Sequence, residues 1–280
     1  MAKLTFFQLL KAGEQQLTAA GQDASAAQYL LLEGQQWTFT TLVQHYREDV
    51  PTELTTSYQD QITRICAGEP AQYILGRAPF YGREFRVTPA TLIPRQETEE
   101  LVEWVLSVAK PGLDLLDVGT GSGAIAISLK AERPDWTVTA TDISAAAVTV
   151  AQQNAQQLQA SITFAVGDLL KPVRGQRFDI VVSNPPYIDR AELPVMDDSV
   201  KRFEPDSALF ADDHGLAFYR RFAAELIAVL RPGGQFFAEI GYHQGAAVRE
   251  IFALALPTAT VTVKTDINGH DRMVRVQLKS

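Results

Sequence analysis

The chain has 280 residues, a formal net charge of -8, 46% hydrophobic residues and 21% charged residues. That balance excludes global disorder and suits one large or two moderate domains. The acidic excess repels a phosphate backbone, so no stable nucleic-acid binding is expected.

Cys66 is the single cysteine, which leaves no intrachain disulfide or cysteine-based zinc site and fits a reducing cytoplasm. His45, His214, His243 and His270 lack metal-ligand spacing, and no metal site is assigned. Met1 to Leu10 carries one lysine and an apolar run broken by Gln8, which reads as an amphipathic helix rather than a signal peptide. No uninterrupted apolar stretch reaches the ~18 residues of a membrane span, so no membrane partner is expected.

From residue 3 to residue 77 the periodicity is helical. Leu4, Phe7, Leu10 and Leu17 share one segment, and Ala27, Leu30 and Leu31 the next. Thr38 to Tyr46 and Pro51 to Ala67 complete a small bundle that Gly68-Glu69-Pro70 closes. From Ala78 to Pro94 the pattern becomes short strands, Phe80-Tyr81-Gly82, Glu84 to Val87 and Thr91 to Ile93, read as a hairpin linker. Glu97 to Ala109 then places Leu101, Trp104, Val105 and Val108 on one helical face, with acidic residues in the first turn.

Beyond Gly112 strands and helices alternate. Strands are predicted at Leu113 to Val118, Thr137 to Thr141, Ile162 to Val166 and Phe178 to Ser183, and helices at Ala124 to Glu132 and Ala145 to Leu158. Such alternation gives a mostly parallel α/β sheet covered on both faces. Residues 189 to 214 read as a long polar, irregular insertion of the lid or binding-loop kind. A helix at Leu216 to Leu230, a strand at Gln235 to Ile240, a helix at Ala246 to Leu256 and strands at Thr260 to Thr265 and Arg272 to Leu278 follow. The last two strands, joined through Asn268-Gly269, are too close for a crossover helix and should run antiparallel.

Chemistry concentrates at strand ends. Leu115 to Val118 runs into Gly119-Thr120-Gly121-Ser122-Gly123, a turn whose glycines admit close ligand approach and whose following helix offers N–H groups at its start. The spacing is not that of the dinucleotide fingerprint. Asp142, at the end of the second strand, is placed to accept from ribose hydroxyls or to cap the next helix. Asp168 ends the third strand and reads equally as an adenine-amino acceptor or a turn aspartate.

The fourth strand stops in Asn184-Pro185-Pro186-Tyr187, because proline lacks the N–H a ladder needs and stiffens the exit. The Asn184 side-chain oxygen and the Pro185 carbonyl form a pair of acceptors for an NH₂ group, with Tyr187 against its plane. Orientation would supply most of the rate for so poor a nucleophile. Gly233-Gly234-Gln235 reads as a turn before a strand.

The glycine turn, the acid after the second strand and Asn184 to Tyr187 resemble the S-adenosylmethionine-dependent amino-methyltransferases. Over its whole length the chain resembles the HemK/PrmC family, through the helical amino-terminal region, Ile93-Pro94-Arg95-Gln96-Glu97-Thr98-Glu99, Ser183 to Ile188 and Arg202-Phe203-Glu204-Pro205. The resemblance implies a Rossmann-like class I methyltransferase domain at 95–280, with a seven-stranded, mostly parallel sheet and an antiparallel last strand. A β-hairpin linker at 78–94 and a substrate-docking helical bundle at 1–77 precede it.

It further implies methyl transfer from S-adenosyl-L-methionine to the glutamine side-chain amide of the Gly-Gly-Gln motif in class I peptide chain release factors, affecting translation termination. Gly119, Thr120, Gly121, Ser122, Gly123, Asp142, Asp168, Leu169 and Asn184 would contact the cofactor, and Asn184, Pro185, Pro186 and Tyr187 the glutamine. Asn184, Pro185 and Tyr187 would carry catalysis, while Arg95 and Thr98 are candidate cofactor contacts. Leu169 stands where many relatives have an aromatic residue. Methylation of an adenine or cytosine amino group is the alternative that the same tetrapeptide admits.

Overall fold

The computed structural model describes residues 4–108 and 110–280. Readings that fall on residues 1–3, and the helix end predicted at Ala109, lie outside the described residues. The chain forms two compact units, Met1–Arg77 with Asp197–Phe203, and Ala78–Met196 with Glu204–Ser280.

The first unit is helical: α1 (Phe6–Ala19), α2 (Ser25–Gln35), α3 (Phe39–His45), α4 (Thr52–Cys66) and α5 (Ala71–Leu75). Thr5 starts α1 with a reciprocal cap, its hydroxyl accepting from the Gln8 N–H while the Gln8 side chain accepts from the Thr5 N–H. Phe6, Leu9, Leu10 and Leu17 of α1 pack with Leu30 and Leu31 of α2 and Tyr58 and Ile62 of α4. Gly13 allows this approach, since a Cβ there would stand 2.6 Å from the Tyr58 hydroxyl. That buried hydroxyl donates to the Ala27 carbonyl at 3.0 Å.

The hairpin has fewer strands than expected. β1 (Arg77–Phe80) and β2 (Arg83–Arg86) form a two-stranded sheet about Tyr81 and Gly82, both with positive φ, as tight hairpin turns require. Thr91 to Ile93 is not a strand. The Thr91 N–H turns back to the Thr88 carbonyl, and Pro89 and Pro94 lack the N–H of a ladder.

The second unit continues with α6 (Gln96–Ser107), β3 (Asp114–Val118), α7 (Ala124–Glu132), β4 (Thr137–Asp142), α8 (Ala145–Gln157), β5 (Ile162–Val166) and β6 (Phe178–Ser183). The polar stretch 189 to 214 is not irregular throughout. It holds a 3₁₀ turn at Arg190–Val195, α9 (Asp198–Phe203) and α10 (Asp206–Leu209). Its acidic residues act as caps: Asp189 and Glu192 form a reciprocal pair around the 3₁₀ turn, and the Asp197 carboxylate accepts from the Ser199 N–H. α9 groups with the first unit, where Arg202 donates to the Ala67 carbonyl at 3.0 Å.

α11 (Ala217–Glu225) passes into a 3₁₀ turn at Leu226–Ala228 and stops short of the predicted Leu230, because the Val229 carbonyl accepts from the Phe178 N–H and Leu230 pairs with β6. β7 (Leu230–Glu239) therefore starts early and includes Gly233-Gly234, where the pairing with β6 shifts register. This is an irregular stretch within a strand rather than a turn before one. α12 (Gly245–Ala255), β8 (Thr260–Thr265) and β9 (Asp271–Gln277) complete the unit.

The seven-stranded sheet has the order β5-β4-β3-β6-β7-β9-β8, with β9 antiparallel to both neighbours and the other pairings parallel. Alternate residues feed two cores. Leu116, Val181, Phe236 and Val274 pack with Phe222 and Phe252 of the α11 and α12 layer, while Leu115, Ile180, Val182, Phe237 and Met273 pack with Leu101, Val105 and Ile127 of the α6 and α7 layer.

Phe236 is fully buried between Phe222 and Phe252, at ring-centroid distances of 4.8 and 5.5 Å. Replacing Phe236 by Ala should lower unfolding stability by about 3–5 kcal/mol. Urea denaturation checks this, and a loss below about 1 kcal/mol would contradict the packing described.

Candidate functional site

The central strands end in step. Val118 of β3 pairs with Ser183 of β6 and with Thr141 of β4, and Ser183 pairs with Ala238 of β7. Their carboxyl ends share one sheet edge, the edge where open α/β sheets bind ligands. A cavity of about 310 Å³ opens there, lined by Gly119 to Ser122, Asp142, Asp168, Leu169, Asn184, Pro185 and Pro186, together with Arg95 and Thr98. Gly123 and Tyr187 are not in its wall.

The glycine turn is tied down by its own N–H groups. Those of Gly119 and Thr120 donate to the Thr141 carbonyl at 2.8 and 3.0 Å, and that of Gly121 donates to the Asp142 carboxylate at 2.9 Å. The turn therefore offers fewer free donors than its sequence suggested. Gly123 has φ 84°, and a Cβ there would meet Ile127 Cδ1 at 2.8 Å and Ala151 Cβ at 3.2 Å, so it serves close packing of α7 and α8.

Beneath the turn lies Asp117, fully buried. One carboxylate oxygen accepts from the Thr120 hydroxyl at 2.7 Å and the Ala126 N–H at 3.2 Å, while the other has no hydrogen-bond partner. Burial pushes this carboxyl up to about 7, the two donors oppose the shift and the Asp142 charge adds to it. Asn154 of α8, also fully buried, donates to the Ser122 carbonyl at 2.8 Å and exchanges hydrogen bonds with the Arg86 backbone. It ties the hairpin to the glycine turn.

Asp142 accepts from the Gly121 and Ser144 N–H groups, and Ser144 itself caps α8. Burial raises the Asp142 carboxyl despite those bonds. Asp168 differs. Its carboxylate is held below the usual range by Lys171 and by Arg221, which donates to both oxygens at 2.7 Å. These ion pairs leave fewer lone pairs for an adenine amino group. Leu169 beside it is buried with φ 49°, a left-handed backbone that costs a branched residue roughly 1–2 kcal/mol. Such outliers gather at functional sites.

Asn184 leaves β6 half-buried, and its Nδ2 donates to the Thr98 hydroxyl at 3.1 Å. Thr98, in the first turn of α6, donates to Glu239 Oε2 at 2.6 Å. The Tyr187 hydroxyl donates to Glu239 Oε1 at 2.9 Å, and its ring packs against the α11 and α12 core rather than the cavity. Burial raises the Glu239 carboxyl, while Thr98, Tyr187 and Arg272 pull it back. Arg95 pairs with Glu204, whose second oxygen is buried without a partner.

Sequence reading missed Asp117, Asn154, Glu204 and Glu239 as working residues. Asp117 alone carried a signal, as a charged residue inside an apolar strand. Among the described residues, no group of three His, Cys, Asp or Glu side chains is placed to hold a metal ion.

Residues 98–204 match the family described as Methyltransferase small domain, and residues 8–76 match the PrmC N-terminal domain. A release factor glutamine methyltransferase of Enterococcus faecalis is 44% identical over 275 residues, covering 98% of this chain and 99% of that protein. Among solved structures, a methyltransferase from Pyrococcus furiosus aligns with a TM-score of 0.56 at 16% identity, covering 80% of this chain and 100% of that one. A T. thermophilus 16S rRNA methyltransferase in complex with AdoMet and guanosine aligns at 0.50 and 20% identity, over 72% of this chain and 50% of that one. Both share the fold.

The buried Asp117 carboxyl gives a signed pH prediction. Its folded value of about 7 lies above the ordinary 3.8, so between them the native chain keeps a proton that the unfolded chain has lost. Its stabilising contribution is complete below the lower value, erodes as pH rises and is gone above the upper one. Relative to Asp117→Asn, the native chain should lose up to about 1.4 kcal/mol per pH unit between roughly pH 5 and 7, then level off. Urea unfolding of both proteins across that range measures the difference, and a flat or rising difference contradicts it.

Proposed function

The chain belongs to the release factor glutamine methyltransferase family, and from that premise we propose how its residues perform the reaction. The enzyme transfers a methyl group to the side-chain amide nitrogen of a glutamine in a peptide chain release factor. We assign the glutamine to Asn184 and Pro185, because both stand in the cavity wall at the strand edge shared with the glycine turn. That placement is the observation that carries the reading.

Features of the cavity support S-adenosylmethionine as the cofactor. Added Cβ atoms at Gly119 and Gly121 would project into open space, so the glycines leave a smooth cradle, and the raised carboxyl of Asp142 lies in the same wall. Gly119 to Ser122 would hold the cofactor's backbone side, Asp142 the ribose hydroxyls and Leu169 the adenine face. When bound, the cofactor supplies an electrophilic methyl group on a sulfonium.

The residues supply orientation. The Asn184 side-chain oxygen and the Pro185 carbonyl accept the two amide hydrogens, which fixes the plane of the amide and draws electron density onto its nitrogen. Two prolines restrict the backbone that carries both acceptors, so little freedom is lost when substrate binds. The amide proton displaced by methylation leaves along one of these hydrogen bonds or to water, and no strong base is required. Tyr187, held by Glu239, braces the clamp from the core side.

The helical unit is proposed to dock the release factor, because a lone glutamine cannot identify a protein. Phe39 and Val43 support this. They lie four residues apart on α3, on one helical face, and are 54% and 43% exposed. The lone Cys66 supports the cytoplasm as the compartment.

Asn184→Ala should reduce turnover on a release factor by about a hundredfold or more while cofactor affinity changes far less. Single-turnover assays with labelled methyl donor, paired with calorimetry, test this, and near-native turnover would reject the assigned role. Labelled methyl reaching DNA instead of the release factor would favour the amino-base alternative. For docking, a Phe39→Ser, Val43→Ser double variant should raise KM about fivefold or more for the intact release factor and leave a short glutamine peptide unaffected. Equal KM values for the intact factor would count against docking at this face.

A further inference from the structure

We propose that Glu239 and Thr98 are positioning residues that set which end of the Asn184 amide faces the substrate. The inference rests on the reading that the Asn184 oxygen accepts from the glutamine amide. It goes further by naming what fixes that oxygen.

An asparagine amide has one accepting and one donating end of nearly equal size, so sterics alone do not choose between them. Here donors and acceptors do. Glu239, at the end of β7, is only 2% exposed, and its two oxygens accept from the Thr98 and Tyr187 hydroxyls at 2.6 and 2.9 Å. With Glu239 ionised, Thr98 spends its one hydroxyl proton on that carboxylate, so toward Asn184 it can only accept. Asn184 Nδ2 meets that acceptor at 3.1 Å. The opposite amide orientation would set two oxygens against each other with no proton between them. The chain from carboxylate to hydroxyl to amide therefore has one polarity, and it leaves the Asn184 oxygen for the ligand.

The same carboxylate holds Tyr187, the far end of the tetrapeptide, through its second oxygen. Both ends of Asn184-Pro185-Pro186-Tyr187 are thus referred to one buried group on the neighbouring strand. Glu239 is not in the cavity wall and acts through Asn184 and Tyr187.

The test is a mutant cycle in the full-length enzyme, with an intact release factor as methyl acceptor. Thr98→Val removes the hydroxyl at nearly constant shape and should lower kcat roughly ten- to a hundredfold. KM for the release factor and cofactor affinity by calorimetry should stay within about threefold. Thr98→Ser keeps the hydroxyl and should recover kcat to within about threefold of native. Glu239→Gln, which can donate as well as accept, should also lower kcat by about tenfold, since it no longer enforces the polarity.

The decisive comparison is made in an Asn184→Ala background. There Thr98→Val should cost less than about twofold, because the group it positions is gone. If Thr98→Val does not fold, Thr98→Ala takes its place in the cycle. Native kcat in the Thr98 and Glu239 variants, no recovery with serine, full additivity with Asn184→Ala, or a parallel loss of cofactor affinity would each overturn the proposal. Native turnover in Asn184→Ala alone would instead overturn the parent reading.

Discussion

The site depends on the register of three parallel strands. With Val118, Ser183 and Ala238 paired level across β3, β6 and β7, the next residues along each strand emerge as Gly119, Asn184 and Glu239. A one-residue slip of any strand would exchange its two faces. In β6 that would exchange Val181 with Ile180 and Val182 between the two helical layers, each of which is fully packed. The two cores therefore hold the register, and the register brings Gly119, Asn184 and Glu239 to one sheet edge.

Placing polar groups at the rim of such a core is costly unless they are satisfied. Glu239 is buried but not isolated: two hydroxyls donate to it, Arg272 offsets its charge and the Tyr219 hydroxyl donates to its backbone carbonyl at 2.8 Å. Ser183 is likewise tied, its hydroxyl donating to the Val118 carbonyl at 2.7 Å. A wholly apolar edge could match this stability. What it could not do is give direction to an amide, and direction is what the polar chain from Glu239 to Asn184 adds.

Much of this was legible in the sequence, for identifiable reasons. The buried parallel strands read as Val- and Ile-rich runs, the helices opening at Ala124 and Ala145 follow turn or cap residues, and two successive prolines can only end a strand. What escaped depends on neighbours distant in the chain. Glu239 looks like the polar end of an apolar run, and Asn154 looks like one more amide in a glutamine-rich helix. Their roles exist only once β6 lies beside β7 and α8 beside the hairpin. The end of α11 differs from its sequence pattern for the same reason. Val229 and Leu230 continue an apolar helical pattern, yet pairing with β6 claims their backbone.

The electrostatics of the cavity edge bear on what kind of ligand it suits. A dinucleotide needs free N–H groups for its phosphates, but here the donors of Gly119, Thr120 and Gly121 are already consumed by Thr141 and Asp142. Asp117 and Asp142 are both raised by burial, and the Asp142 charge pushes Asp117 further. Phosphate would worsen that repulsion. Glycines alone allow a close approach by many nucleotides. What sets this turn apart from a phosphate-binding one is that its first three N–H groups are already bonded to Thr141 and Asp142.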